Sequence, residues 1–103
     1  MYRFRVVMYP QVGKEPELRQ VLEAWVKTTQ EKGRKIGLSM QRFATDGAGP
    51  VLVIPLTGLA EYEEMTQRNA TDPAFQAFVA KTATLVRLPA RFELLEEVIA
   101  VQD

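Results

Sequence analysis

A chain of 103 residues with thirteen Lys plus Arg against thirteen Asp plus Glu carries no net charge at neutral pH, so it has no positive field to condense on a phosphate backbone, and nucleic acid is not an expected partner. It contains no cysteine and no histidine, which excludes disulfides, thiolate metal sites and cysteine nucleophiles, and removes the commonest neutral-pH base and the usual proximal haem ligand. This length accommodates one hydrophobic core, and 47% hydrophobic with 25% charged residues fits a single folded domain over 1–103.

The first nine residues alternate. Tyr2, Phe4, Val6 and Met8 fall on one side of a period-two strand, and Arg3, Arg5, Val7 and Tyr9 on the other. Pro10 to Lys14 reads as a loop. Pro16 suits a first helical turn, Glu15 and Glu17 lie near the positive helix end, and Leu18, Val21, Leu22, Trp25 and Val26 recur at helical spacing until Gly33. A second strand is expected over Ile36 to Ala44, with Leu38, Met40 and Arg42 on one face and Ser39, Gln41 and Phe43 on the other. The turn-rich stretch Thr45 to Pro50 then leads into the apolar run Val51 to Leu56, which makes a hairpin. Pro55 belongs near that strand's end or with its missing donor turned away from a neighbour.

Leu59, Tyr62, Met65 and Thr66 mark a short helix reaching about Arg68, and Asp72-Pro73 restarts the chain as a helix because Asp can cap and Pro can occupy the first turn. Phe75, Phe78, Val79, Thr82, Leu85 and Val86 share one face of it. After Pro89, a last strand is expected over Arg91 to Val101, with a bulge where Leu94-Leu95 breaks the alternation. No basic segment followed by an apolar run stands at the start, and no apolar stretch approaches eighteen residues. The expectation is a cytoplasmic, unprocessed protein without membrane contact.

The order strand, helix, strand, strand, interrupted helix, strand implies an α+β, ferredoxin-like βαββαβ fold. Right-handed crossovers put the helices on one side of a four-stranded antiparallel sheet, and the first strand sits between the third and the fourth. The face carrying Val7 and Tyr9 is then expected to lie bare and to need a cover.

With that order, Val12-Gly13-Lys14 before the first helix, Leu59-Ala60-Glu61-Tyr62-Glu63-Glu64-Met65 and Asp72-Pro73-Ala74-Phe75-Gln76-Ala77-Phe78 resemble the dimeric α/β-barrel superfamily, within it the small NIPSNAP-like and antibiotic-biosynthesis-monooxygenase-like domains. NIPSNAP-like chains commonly carry a Trp after the Asp-Pro stretch, where this chain has Phe75. The resemblance implies a homodimer formed by pairing bare sheet faces, with Arg3, Arg5, Val7 and Tyr9 at or near the contact. Arg3 and Arg5 would then stand opposite carboxylates such as Glu93 or Glu97, since an unpaired buried guanidinium is expensive; recruitment of an anionic ligand is their second reading.

The resemblance also implies a ligand cavity between helices and sheet, matched here by Phe4, Met8, Trp25, Tyr62 and Phe78, a small apolar or aromatic ligand, and no cofactor or metal. The plainer reading of the same five residues is a core. Trp25 is expected to be buried against Phe4 and the second helix, and its N–H then needs a partner. Family monooxygenases oxidise quinol-like aromatics using polar residues alone. Tyr9, Tyr62 and Arg42 are the candidates for that role, but their spacing places them in no single site. Haem-degrading relatives use a His or Asn, and here His is absent and Asn69 is the one Asn. Glu61, Glu63 and Glu64 read as a solvated helix face rather than a metal site, and Glu96-Glu97 point to opposite faces. Two other ferredoxin-like classes fail on local residues: no anion loop with an Arg follows the first strand, as an acylphosphatase requires, and Val51-Leu52-Val53-Ile54 lacks the aromatics of an RNA-recognition motif. The remaining alternatives are a cofactor-independent monooxygenase-like enzyme and a non-catalytic binding or structural homodimer.

Overall fold

The computed structural model describes residues 1–45, 47 and 49–102. The chain runs β1 (Tyr2–Val7), α1 (Glu15–Glu31), β2 (Gly37–Met40), β3 (Pro50–Leu56), α2 (Leu59–Ala70), α3 (Pro73–Ala83) and β4 (Arg91–Glu96). The four strands form one antiparallel sheet in the order β2-β3-β1-β4, which is the ferredoxin-like α+β arrangement. No helix among the described residues is long and apolar enough to cross a membrane.

The apolar stripe of α1 explains its seat. Leu18 and Leu22 are fully buried and Val26 lies a turn further on, packed with Val6 of β1, Met8 just after it, Leu52 of β3 and Phe78 of α3. Each such aliphatic side chain contributes about 1.5–3 kcal/mol on leaving water. Gly33 stops the helix at φ +80°, a conformation cheap for glycine alone, and its N–H donates to the Gln30 carbonyl. Asp72 separates α2 from α3 by accepting a 2.9 Å hydrogen bond from the Ala74 N–H, with Pro73 opening the new helix. Pro55 pairs with Arg3 near the end of β3, beyond the point where β2 begins opposite Val53, so no ladder bond is lost on that side.

Four expectations are corrected. The strand expected over Ile36 to Ala44 is β2 alone: its ladder closes where the Gln41 N–H donates to the Gly49 carbonyl, and Phe43 beyond it is exposed. The last strand stops at Glu96 rather than Val101, because the final bond joins the Glu97 N–H to the Met1 carbonyl and, among the described residues, no strand lies alongside Val98 to Val101. No bulge forms at Leu94-Leu95; these residues pair in continuous register with Phe4 and Arg3.

The fourth correction concerns the face away from the helices. Val7 and Tyr9 are not bare: they are 1% and 6% exposed within a single chain and form a small second core with Val51. Arg87 supplies part of the cover. Its N–H donates to the Tyr9 carbonyl, its guanidinium lies 5.5 Å from the Tyr9 ring centroid, and a Cβ on Gly47 would come within 3.3 Å of its Nη2. The other end of this face, around Arg3, Arg5, Val53, Pro55 and Leu95, remains partly open to solvent.

Candidate functional site

The five aromatic and apolar positions singled out for a ligand cavity all lie on the helix side of the sheet, but they divide. Trp25 of α1 stacks on Phe78 of α3 with ring centroids 4.5 Å apart and planes 14° from parallel, and Phe75 leans on both at 5.9 and 6.2 Å. No ligand fits between rings so close. Trp25 is half-buried, and its partners are Phe75 and Phe78 of α3 rather than Phe4, which corrects the expected contact. Met8 and Phe78 belong to the core.

Phe4 and Tyr62 form the second group. The Tyr62 ring meets Phe4 edge-on at 5.4 Å, and Phe92 of β4 stacks on Phe4 at 6.0 Å. The register puts Phe92 and Leu94 on the same face as Phe4 and Val6, the face that α1 and α3 cover further along the sheet. Here that cover is incomplete: Phe92 is 66% and Leu94 42% exposed. The result is an open apolar strip, or trough, along the β4 edge, where Phe92 and Leu94 lie exposed beside Phe4 and Tyr62 of α2 packs against Phe4. Neither Phe92 nor Leu94 was singled out from sequence, although the alternation Phe92, Leu94 beside the alternation Phe4, Val6 was there to be matched.

The polar candidates do not converge. Tyr9 lies on the opposite face under Arg87, and Arg42 is exposed on the connection between β2 and β3. Of these three, Tyr62 is the one whose ring contacts Phe4. Glu61, its neighbour, has a structural role. A carboxylate oxygen of Glu61 accepts a 2.8 Å hydrogen bond from the Thr57 N–H at the start of α2, and that bond, helped by Lys35, holds its pKa below the ordinary value. Glu63 and Glu64 are exposed, and among the described residues no three acidic side chains come together to hold a metal ion.

On the face away from the helices, Arg5 and Glu93 are cross-strand partners in an ion pair of 3.2 Å, while the Arg91 Nε donates to the other Glu93 oxygen at 3.2 Å. The Arg5 contact lacks hydrogen-bond geometry, which leaves Glu93 Oε1 buried without a donor. The pairing expected for Arg5 is thus made inside one chain. Arg3 stands opposite Leu95 instead, and it lines an open groove with Arg34 and Lys35 beside β2.

No protein-family model matches the sequence, and no curated protein sequence matches it. Solved structures do match the fold. An uncharacterised NIPSNAP domain protein from Burkholderia xenovorans superposes over 100% of both chains with a TM-score of 0.78 at 17% identity. Rv0793 from Mycobacterium tuberculosis superposes over 98% of both chains, TM-score 0.69 and 17% identity. Protein Atu4242 from Agrobacterium tumefaciens does so over 93% of this chain and 92% of its own, TM-score 0.70 and 18% identity. At such identities the likeness concerns architecture, and the architecture is a NIPSNAP-like, ferredoxin-like α+β fold.

Proposed function

We propose that this protein is a cytoplasmic homodimer that binds a small apolar aromatic compound in the trough formed by Phe4, Tyr62, Phe92 and Leu94. The observation that carries the reading is the exposure of Phe92 on the helix-facing side of β4, where an aromatic ring stacked on Phe4 is left open on its outer side. An aromatic ligand laid there would remove apolar surface from water and gain ring contacts of about 0.5–1.5 kcal/mol beyond that burial. The Tyr62 hydroxyl would supply a directional polar contact of the kind that fixes orientation in mostly apolar sites.

The dimer reading draws support from the open end of the other face. Val53 and Pro55 are half-buried and Leu95 is 48% exposed, next to two arginines. Pairing this end with a second copy would cover the apolar residues and bury the Arg5–Glu93 pair further. Sedimentation is expected to give a dimer at micromolar concentration, and a monomer there would refute it.

Ligand-observed NMR with a panel of naphthols and hydroquinones tests the trough: binding is expected for wild type and loss for Phe92→Ala. The second reading, cofactor-independent oxygenation of a quinol, takes its support from Tyr62 alone, whose hydroxyl would hydrogen-bond the substrate's hydroxyl and orient it. Oxygen consumption with a quinol that disappears in Tyr62→Phe, with binding retained, would favour it. Binding without oxygen consumption would leave the non-catalytic binder.

A further inference from the structure

The side of the sheet that faces the helices is apolar along almost its whole width. On β1 it carries Tyr2, Phe4 and Val6, and the residues that share this face on β2 and β3 bear no charge. On β4 the same face carries Phe92, Leu94 and Glu96, which stand opposite Val6, Phe4 and Tyr2 in that order. Glu96 is therefore the one charged residue on this face of the four strands, and it is exposed at the end of the open strip. The other two charged residues of β4, Arg91 and Glu93, belong to the opposite face, where Glu93 pairs with both Arg5 and Arg91. Glu96 takes part in no ion pair among the described residues. An apolar strip that ends on an unpaired carboxylate favours a ligand with one apolar end and one cationic end.

We propose that the strip takes an arylalkylammonium ion, whose ring lies on Phe92 and Leu94 and whose ammonium meets Glu96. The inference rests on the aromatic-binding reading above and adds the charge and the length of the ligand. Strand residues advance about 3.4 Å each, so Glu96 stands about 7 Å beyond Leu94 and about 14 Å beyond Phe92. A ring centred between Phe92 and Leu94 is then about 10 Å from Glu96 along the strand, a span that a fused ring with a chain of about three carbons covers and a single methylene does not. The amine of such a compound is protonated at neutral pH, as that of lysine is. Directly opposite side chains of an antiparallel pair stand about 5 Å apart at Cβ, so an ammonium at Glu96 also comes within reach of the Tyr2 ring. Because Glu96 is exposed, solvent screens the pair, and the expected gain is about threefold to fivefold in affinity. Charge and chain length therefore set selectivity, while the rings supply most of the binding.

Calorimetric titration with naphthylpropylamine, its neutral counterpart naphthylpropanol and its anionic counterpart naphthylpropanoate tests the assignment. Wild type is expected to bind the amine about threefold to fivefold more tightly than the alcohol, with the carboxylate weakest, and to lose the advantage with naphthylmethylamine, whose chain is too short. The preference should shrink as salt is added. Glu96→Gln should abolish it without changing affinity for the alcohol, Glu96→Lys should turn it towards the carboxylate, and Glu97→Gln, one residue further on, should leave it intact. Equal affinities for the three compounds in wild type, or an amine preference that survives Glu96→Gln, would overturn the ammonium site and leave the aromatic-binding reading standing. No binding of any of the three would overturn both.

Discussion

Trp25, Phe75 and Phe78 close on one another between α1 and α3, and Phe78 is 9% exposed at their centre. Tyr62 and Phe92 each contact Phe4 at similar ring distances, yet Phe92 is 66% exposed. Ring count and ring spacing therefore do not distinguish a core from a site. The difference lies in one ring of each group: Phe78 is buried between α1 and α3, whereas the helix layer leaves Phe92 on β4 uncovered, and the other four rings are half-buried. Burial makes the first group structural, and open aromatic surface makes the second a candidate for recognition.

Substitution should separate the two groups most sharply. Phe78→Ala is expected to destabilise the fold by about 3–5 kcal/mol, the usual cost of truncating a buried aromatic, while Phe92→Ala should cost under about 1 kcal/mol because its ring is mostly in water already. Urea denaturation of both variants measures the contrast, and equal losses would show that the trough is part of the core. Gly49→Ala comes next. A Cβ there would fall inside contact distance of the Met8 carbonyl oxygen, so a loss of about 1–3 kcal/mol, as for overpacking, is expected in the same assay. Asp72→Ala removes the cap of α3, which carries two rings of the sealed group, and should cost about 1 kcal/mol; Asp72→Asn should recover most of it.

The smallest effect is a pH dependence beneath the open group. Glu61 has a folded pKa below its ordinary value of 4.5 because it accepts the Thr57 N–H. Its contribution is thus complete above the ordinary value and is lost as pH falls through the lower folded value. Thermal unfolding of Glu61→Gln should show a smaller drop between pH 5 and pH 3 than wild type, and an identical drop would mean that the bond does not couple to folding.

Much of the fold was legible because its determinants are local. The spacing of Leu18, Leu22 and Val26 marked α1, Gly33 its end, and Asp72-Pro73 the start of α3. The two faces of β1 were also read correctly: Phe4, Val6 and Met8 face the helices, with Arg3, Arg5 and Val7 opposite. What failed depended on distant pieces of chain. Val7 and Tyr9 are buried with Arg87 against the Tyr9 ring, almost eighty residues after Tyr9, and no pattern within the first strand announces that contact. Trp25 was rightly placed on an apolar face, but its partners are set by how α1 crosses α3. The trough escaped notice for the same reason: Phe92 and Leu94 look like core residues in sequence, and only the reach of the helix layer leaves them open.

The central claim is that the uncovered group, and not the sealed one, receives an aromatic ligand. Calorimetric titration of hydroxylated naphthalenes into wild type, Phe92→Ala and a control variant of equal unliganded stability altered at Val79 on the exposed side of α3 tests it most directly. The account expects saturable binding to wild type and the control, with at least a tenfold loss of affinity in Phe92→Ala. Undiminished binding to Phe92→Ala, or no binding to any of the three, would contradict it.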